Sequence, residues 1–229
     1  MPEMGRRVAA LRARMREAEE RFGRRFGVVQ VLAVSKMQCA QAIRRAHTLG
    51  LAGFGENYLQ EAEGKITALC DLRLEWHFIG RIQTNKTRLI AALFDWVHTL
   101  DRVALARRLN EQRPVDRPPL NVCIQINISG EATKGGCLPA EAADFAHAIQ
   151  EFPRLRLRGL MALPAPTDDF DQQRLVFRPV HELYQILNDR GAGMDTLSMG
   201  TSGDFEAAIA EGATMIRLGT TIFGSRPTP

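Results

Sequence analysis

The residue with the clearest chemical potential is Lys36, which ends the apolar, β-branched run VVQVLAVSK at residues 28–36. A lysine amine that is partly desolvated has a lowered pKa and becomes a nucleophile able to form a Schiff base. A lysine at the end of a strand can also simply extend its ammonium group to water. Position alone does not choose between these interpretations, so the choice depends on what surrounds Lys36.

The segment SMGTSGDFEAAI, residues 198–209, has the composition of a phosphate-binding turn that leads into a helix. Its two glycines would let the backbone approach a ligand, and its hydroxyl groups and first helical N–H groups could hold a phosphate. Ordinary helix capping, with Asp204 in the first turn, is the alternative. The two glycines are Gly200 and Gly203, and the two hydroxyl residues are Thr201 and Ser202.

The segment RLGTT, residues 217–221, adds backbone donors at Gly219 and Thr220. On a strand, Arg217 faces the same side as Gly219 because side chains alternate. An arginine buried at such a position needs an acceptor or an anion as its partner. The ring nitrogen of a bound cofactor and a carboxylate of the protein are both suitable partners.

The elements that must position these residues alternate along the chain, since a short β-branched run is followed by a helical pattern eight times. Strict alternation favours parallel strands with right-handed crossovers, and eight strands close a barrel. We therefore predict an α/β fold with a single (β/α)8 TIM barrel as one domain over 1–229, including an extra N-terminal helix over 1–26 that plugs the N-terminal end. An open doubly wound sheet is the alternative, but no GxGxxG follows the first run. The predicted strands are 28–36, 53–57, 75–80, 96–101, 120–129, 155–164, 194–200 and 215–219.

The carboxyl ends of barrel strands carry the chemistry in this architecture, and here they form a polar rim with one lysine at a strand terminus. His77 and His98 lie within strands and are interpreted as ordinary core or rim histidines. Lys65, Lys86 and Lys134 are interpreted as solvated, and Pro179 is expected to kink or split its long helix. The rim residues are Ser35, Lys36, Glu56, Asn57, Ile79, Gly80, Asp101, Asn127, Ser129, Met161, Ser198, Gly200, Arg217 and Gly219.

Composition excludes several classes of protein. The chain has 45% hydrophobic and 24% charged residues, which is ordinary for a globular protein. Its net charge of +4 comes largely from arginines interleaved with acids, so nucleic-acid binding is not favoured. No apolar run reaches membrane-spanning length, no secretory signal is present, and no metal-ligand spacing occurs among the four cysteines. A cytoplasmic location and no metal site are predicted.

Seven motifs together resemble the YggS/PROSC family of pyridoxal phosphate homeostasis proteins, over essentially the whole chain after the first helix. They are VLAVSK (31–36), FGENY (54–58), EWHFIG (75–80) with QTNK (83–86), INIS (126–129), RGLMALP (158–164), LSMGTSGDFEAAI (197–209) and IRLGTTIFG (216–224). Three positions depart from the usual family pattern, namely Ile82, Thr201 and Gly203. The last two concern the details of the phosphate loop.

The resemblance implies the barrel of the alanine racemase N-terminal domain, with pyridoxal 5′-phosphate (PLP) as cofactor. It implies that Lys36 forms the Schiff base, that Asn57 and Met161 lie at the cofactor ring, and that Arg217 faces the pyridine nitrogen. It also places Ser198, Ser202, Gly219 and Thr220 in the region that holds the phosphate.

The resemblance implies a PLP carrier in cofactor homeostasis rather than an enzyme, with apo PLP-dependent enzymes as candidate recipients and no catalytic residue. An arginine at the pyridine nitrogen would weaken the cofactor as an electron sink, and we expect no second domain after Gly219 to supply a tyrosine or a dimer interface. A monomer is therefore expected. The alternative is an amino-acid racemase or lyase of the same fold type.

Overall fold

The computed structural model describes residues 3–128 and 135–224, and eight parallel strands in them form a closed barrel. Each strand pairs with the next along the chain, and the eighth pairs with the first, so the predicted barrel is confirmed. The strands are β1 (Gln30–Val34), β2 (Gly53–Glu56), β3 (Glu75–Phe78), β4 (Trp96–Leu100), β5 (Leu120–Ile126), β6 (Leu155–Ala162), β7 (Thr196–Ser198) and β8 (Met215–Leu218).

Helices alternate with the strands and cover the outside of the barrel. Their bounds are α1 (Glu3–Arg21), α2 (Ala40–Thr48), α3 (Leu59–Ala68), α4 (Thr87–Leu93), α5 (Val103–Gln112), α6 (Ala142–Gln150), α7 (Phe170–Asp189), α8 (Phe205–Ala210) and α9 (Thr220–Phe223), with short 3₁₀ turns at Thr84–Lys86 and Pro139–Glu141. Their buried apolar faces, together with the outward faces of the strands, form the main hydrophobic core. In the described ranges no helix is both long and apolar enough to cross a bilayer.

The N-terminal helix is shorter than the predicted 1–26, because α1 ends at Arg21. Gly23 adopts a left-handed φ of 63°, and the N–H of Arg24 donates back to the carbonyl of Glu19. A glycine in this conformation ends a helix. The helix packs against α8 and α9, and it leaves a cavity of about 510 Å³ below the strands rather than filling the N-terminal end.

The long helix α7 continues through Pro179, so of the predicted kink or split the split does not occur. A proline in a helix removes one backbone hydrogen bond and clashes with the preceding turn. Phe177 and Val180 on either side of it are almost fully buried. Packing of this apolar face holds the helix together across the missing N–H.

Candidate functional site

Lys36 lies in a tight turn at the carboxyl end of the barrel, two residues beyond the end of β1. The strand is thus shorter than predicted, and Lys36 is partly buried. The turn places Met37 at a left-handed φ of 62°, which is uncommon for a residue with a side chain. Two hydrogen bonds hold this conformation: Ser35 N–H donates to Gly55 O (2.9 Å), and Met37 N–H donates to Glu61 Oε1 (2.5 Å).

A buried charge cluster supports the turn from below. Lys65 on α3 donates to Ser35 O (2.6 Å), Glu56 Oε1 (2.7 Å) and Glu61 Oε1 (2.6 Å). Ser35 Oγ also donates to Glu56 Oε1, at 2.6 Å. The prediction that Lys65 is solvated is wrong, because the residue is only 7% exposed. The spacing of four residues between Glu61 and Lys65 could have predicted their ion pair from the sequence, but it does not indicate that Lys65 is buried.

Burial and charge oppose each other at Glu56, which is fully buried. Desolvation raises the pKa of this carboxyl group, and hydrogen bonds from Lys65 and Ser35 lower it in part. The other carboxylate oxygen, Oε2, has no hydrogen-bond partner among the described residues. The cluster therefore depends on Lys65, because the carboxylate has no other cation within hydrogen-bond distance in the described ranges.

Lys36 lies next to the end of β8. Lys36 lines a small pocket with Val34, Gln38 and the Gly219–Thr220 step, where α9 begins. Lys36, Gly219 and Thr220, which sequence placed on separate motifs, are therefore neighbours. A backbone step of this kind can offer N–H donors to a ligand in the pocket that Lys36 also lines.

Arg217 on β8 lies inside the barrel and is 6% exposed. Its Nη1 donates to Ser198 O (2.7 Å) and Ser198 Oγ (2.9 Å), and its Nη2 donates to Ala162 O (2.8 Å). In residues 3–128 and 135–224 it forms no ion pair with a carboxylate, which removes the salt-bridge alternative there. Burial lowers the pKa of Arg217 to about 10, so the group stays a cation near neutral pH.

The loop after β7 holds Gly200 at a φ of 95°, where a Cβ would lie 2.7 Å from Ala208 Cβ. Gly203 has ordinary φ and open space around its Cα, so its role as a required glycine is not supported. Asp204 accepts from Thr201 N–H (2.5 Å) and Thr201 Oγ1 (2.8 Å), which folds the loop on itself. The second acid of the segment, Glu206, points away to pair with Arg14 at 2.9 Å.

Ser202 is partly exposed in this loop. Ser198, in contrast, is fully buried and bonded to Arg217, so it lies beneath the mouth of the barrel. The two serines that the resemblance placed in one region therefore differ in depth. Ser129 and Lys134 lie outside the described residues.

Asn57 and Met161 line a second pocket at the same end of the barrel, on the side of β2 to β6. Met161 forms a buried cluster with Trp96 and Cys123 inside the barrel. The amide oxygen Oδ1 of Asn57 is buried without a hydrogen-bond partner among the described residues. A buried acceptor without a hydrogen bond lowers the stability of the folded protein, and a ligand that donates to it removes this cost. Asn57 Oδ1 is therefore a candidate contact for a ligand.

These groups suit a cofactor with an aldehyde, an anionic phosphate and a ring acceptor. Lys36 supplies the amine, Gly219 and Thr220 supply N–H donors, and Arg217 retains donors for an acceptor, because three of its five N–H groups point to protein oxygens. In the described part of the chain, no group of three His, Cys, Asp or Glu side chains could hold a metal. PLP fits this donor set, and the fold with this site defines a PLP-binding barrel of the alanine racemase type.

Comparison with known proteins agrees with that class. The family model "Alanine racemase, N-terminal domain" matches residues 7–227. The pyridoxal phosphate homeostasis protein of Pseudomonas aeruginosa is 54% identical over 226 residues, covering 99% of this chain and 97% of the relative. That of Escherichia coli is 49% identical over 229 residues, covering 99% and 98%. The chain belongs to the YggS/PROSC family of pyridoxal phosphate homeostasis proteins.

A solved relative carries the cofactor. PipY of Synechococcus elongatus, solved with PLP bound, matches with a TM-score of 0.84 and 33% identity, over 97% of this chain and all of that one. The resemblance stated from the motifs is therefore confirmed at the level of family and fold. The roles of individual residues in this chain remain predictions.

Proposed function

We propose that this protein binds PLP through Lys36 and serves in intracellular PLP homeostasis as a carrier or buffer of the cofactor. The observation that carries this proposal is the meeting of Lys36 with the Gly219–Thr220 step at one pocket of the barrel mouth, in a family whose relatives are named for PLP homeostasis. When bound, PLP supplies an aldehyde that a lysine amine can capture reversibly.

Each remaining residue has a proposed part in binding. Gly219, Thr220 and Ser202 hold the phosphate through backbone and hydroxyl donors, and Asn57 and Met161 flank the ring. Arg217 donates to the pyridine nitrogen, for which it has N–H groups left. Ser198 is too deep and too fully bonded to reach a phosphate, so we assign it to the support of Arg217.

We further propose that binding occurs without turnover. A cationic arginine at the pyridine nitrogen keeps that nitrogen unprotonated, which weakens the electron withdrawal that amino-acid chemistry on PLP requires. Tyr184 donates to Met194 O (2.8 Å), and Tyr58 is 58% exposed. The Tyr184 hydroxyl is thus bonded to a backbone carbonyl, and the Tyr58 side chain lies largely in solvent.

The decisive experiment is absorbance and covalent mapping. Purified protein incubated with PLP is expected to show the visible absorbance of a Schiff base, and borohydride reduction followed by peptide mapping is expected to label Lys36. Lys36→Ala should abolish the label, whereas Lys86→Ala should leave it unchanged. A colourless protein, or a label on another lysine, would contradict the proposal.

Carrier and enzyme are separated by a second measurement. Transfer of PLP to an apo PLP-dependent enzyme, without detectable amino-acid racemisation or lyase products, is expected of a carrier. Turnover without transfer would favour the racemase or lyase alternative.

We also propose that residues 1–229 act as one barrel domain, as a monomer and in the cytoplasm. The described elements all belong to the barrel or pack on it, which supports the first point. Sedimentation of the purified protein tests the second, and a dimer would contradict it.

A further inference from the structure

A continuous row of hydrogen bonds crosses the interior of the barrel, from its N-terminal end to Arg217. Glu75 Oε2 lies 3.0 Å from His77 Nε2, and His77 Nδ1 lies 2.9 Å from His98 Nε2. His98 Nδ1 lies 2.9 Å from Ser198 Oγ, which accepts from Arg217 Nη1 at 2.9 Å. His77, His98 and Ser198 are at most 1% exposed. Of the core and rim positions that the sequence left open, both histidines take the core position, and each ring nitrogen has a hydrogen-bond partner.

The partners at the two ends fix the direction of this row. The guanidinium of Arg217 can only donate, so Ser198 Oγ accepts there and its hydroxyl proton is free to donate to His98 Nδ1. Because the carboxylate of Glu75 can only accept, a neutral His77 carries its proton on Nε2 and accepts at Nδ1, so His98 carries its proton on Nε2 and donates to His77. His77 in turn donates from Nε2 to the carboxylate of Glu75. Both histidines are neutral Nε2–H tautomers in this assignment, which follows from the network.

The electrostatics of the end groups agree with this direction. Burial lowers the pKa of His98 well below its usual value, and the charge of Arg217 lowers it further, so His98 stays neutral. At the other end, the hydrogen bond from His77 lowers the pKa of Glu75. Trp96 Nε1 also donates to Glu75 Oε1 (2.9 Å), so the carboxylate accepts one bond on each oxygen.

We propose that Glu75, His77, His98 and Ser198 form a one-directional hydrogen-bond relay that positions Arg217 for the ring nitrogen of PLP. The inference rests on the proposed function for the identity of the acceptor in the barrel mouth. These are positioning residues, because they act on the cofactor through Arg217. The Glu75 end opens into the cavity at the N-terminal end of the barrel, and Glu75 itself lines neither of the two pockets at the barrel mouth.

The variant Glu75→Gln keeps the shape of the side chain but is expected to reverse the donor and acceptor roles along the relay. An amide has one oxygen and one NH₂ group, so it cannot accept from both Trp96 and His77. If the oxygen keeps Trp96, His77 must accept at Nε2 and donate from Nδ1, and His98 must then donate to Ser198. Ser198 Oγ would then accept from both His98 and Arg217, and its own hydroxyl proton would lose its acceptor. The hydrogen bond from Arg217 to Ser198 Oγ would weaken as a result.

The first measurement needs no cofactor. Ring ¹⁵N shifts of ¹⁵N-histidine protein are expected to show His77 and His98 as neutral Nε2–H tautomers, and both are expected to switch to Nδ1–H in Glu75→Gln. Either histidine found as Nδ1–H or doubly protonated in the wild type at neutral pH would overturn the relay.

The second measurement reads the cofactor itself. Wild-type protein loaded with PLP labelled with ¹⁵N at the pyridine position is expected to give an unprotonated ring nitrogen. The resonance should shift in Glu75→Gln and stay in place in Asp71→Asn, an isosteric change in the surface pair with Arg44. An unshifted resonance in Glu75→Gln with PLP bound would overturn the positioning role. Failure of the wild-type protein to bind PLP at all would instead count against the proposed function. In that case the histidine ring ¹⁵N shifts, which need no cofactor, would still test the relay.

Discussion

Replacing Lys65 by methionine removes the cation from the buried cluster under the Lys36 turn and keeps most of the side-chain volume. Glu56 would then be a fully buried carboxylate that retains only the hydrogen bond from Ser35. Breaking a buried ion pair by removing one partner costs about 3–5 kcal/mol, because the remaining charge stays buried. At roughly 2–4 °C per kcal/mol for a chain of this size, the melting temperature should fall by about 6–20 °C.

The loss should depend on pH. Without Lys65, desolvation raises the pKa of Glu56 further, so the folded state of the variant binds a proton more readily than the unfolded state. A raised folded pKa gives stability that is present at low pH and is lost as pH rises through that pKa. The difference in unfolding free energy between wild type and Lys65→Met is therefore expected to be larger at about pH 8 than at about pH 5.

Urea unfolding and thermal melts at the two pH values measure the difference directly. Borohydride labelling at Lys36 should also weaken, because Lys65 holds the carbonyl of Ser35 and the carboxylate of Glu61 that fixes Met37. The matched control is Arg44→Met, which breaks an exposed pair with Asp71 and should leave melting and labelling close to wild type. A melting temperature for Lys65→Met within about 2 °C of wild type, with full labelling, would refute the reasoning.

Two further outcomes test the site and the core. Gly80→Ala should weaken PLP binding, measured by absorbance titration, because the new Cβ would lie 2.0 Å from Asn57 O and would displace that residue. The control is Gly64→Ala on α3, whose new Cβ meets nothing within 4 Å and which should bind PLP normally. Burial raises the pKa of Cys123 and of Cys137 to about 12, so both thiols should resist a thiol reagent at about pH 8 in the native protein and react only after unfolding. Fast reaction of four thiols in the native state would contradict this. The exposed pair that should react is Cys39 and Cys70.

The sequence by itself determined the fold and the family. Strict alternation of β-branched runs and helical patterns leaves few topologies, and each predicted strand overlaps the observed one, with ends that differ by a few residues. The motifs identified the family because they combine Lys36 with the glycine-containing turns after β7 and β8. Such local patterns depend on residues close together in the chain, where period and turn chemistry are readable.

Only the tertiary structure decided which polar groups are buried and what they contact. From the sequence, Lys65 is interpreted as a solvated helix residue, but in the structure α3 packs it against Glu56. His77 and His98 are interpreted as ordinary core or rim histidines, but adjacent strands β3 and β4 bring their rings within hydrogen-bond distance. The partner of Arg217 was likewise open in sequence, and the structure gives it Ser198 and Ala162 rather than a carboxylate among the described residues. The burial of a polar side chain and the direction of its hydrogen bonds depend on packing between residues far apart in the chain. A local sequence pattern therefore does not predict them.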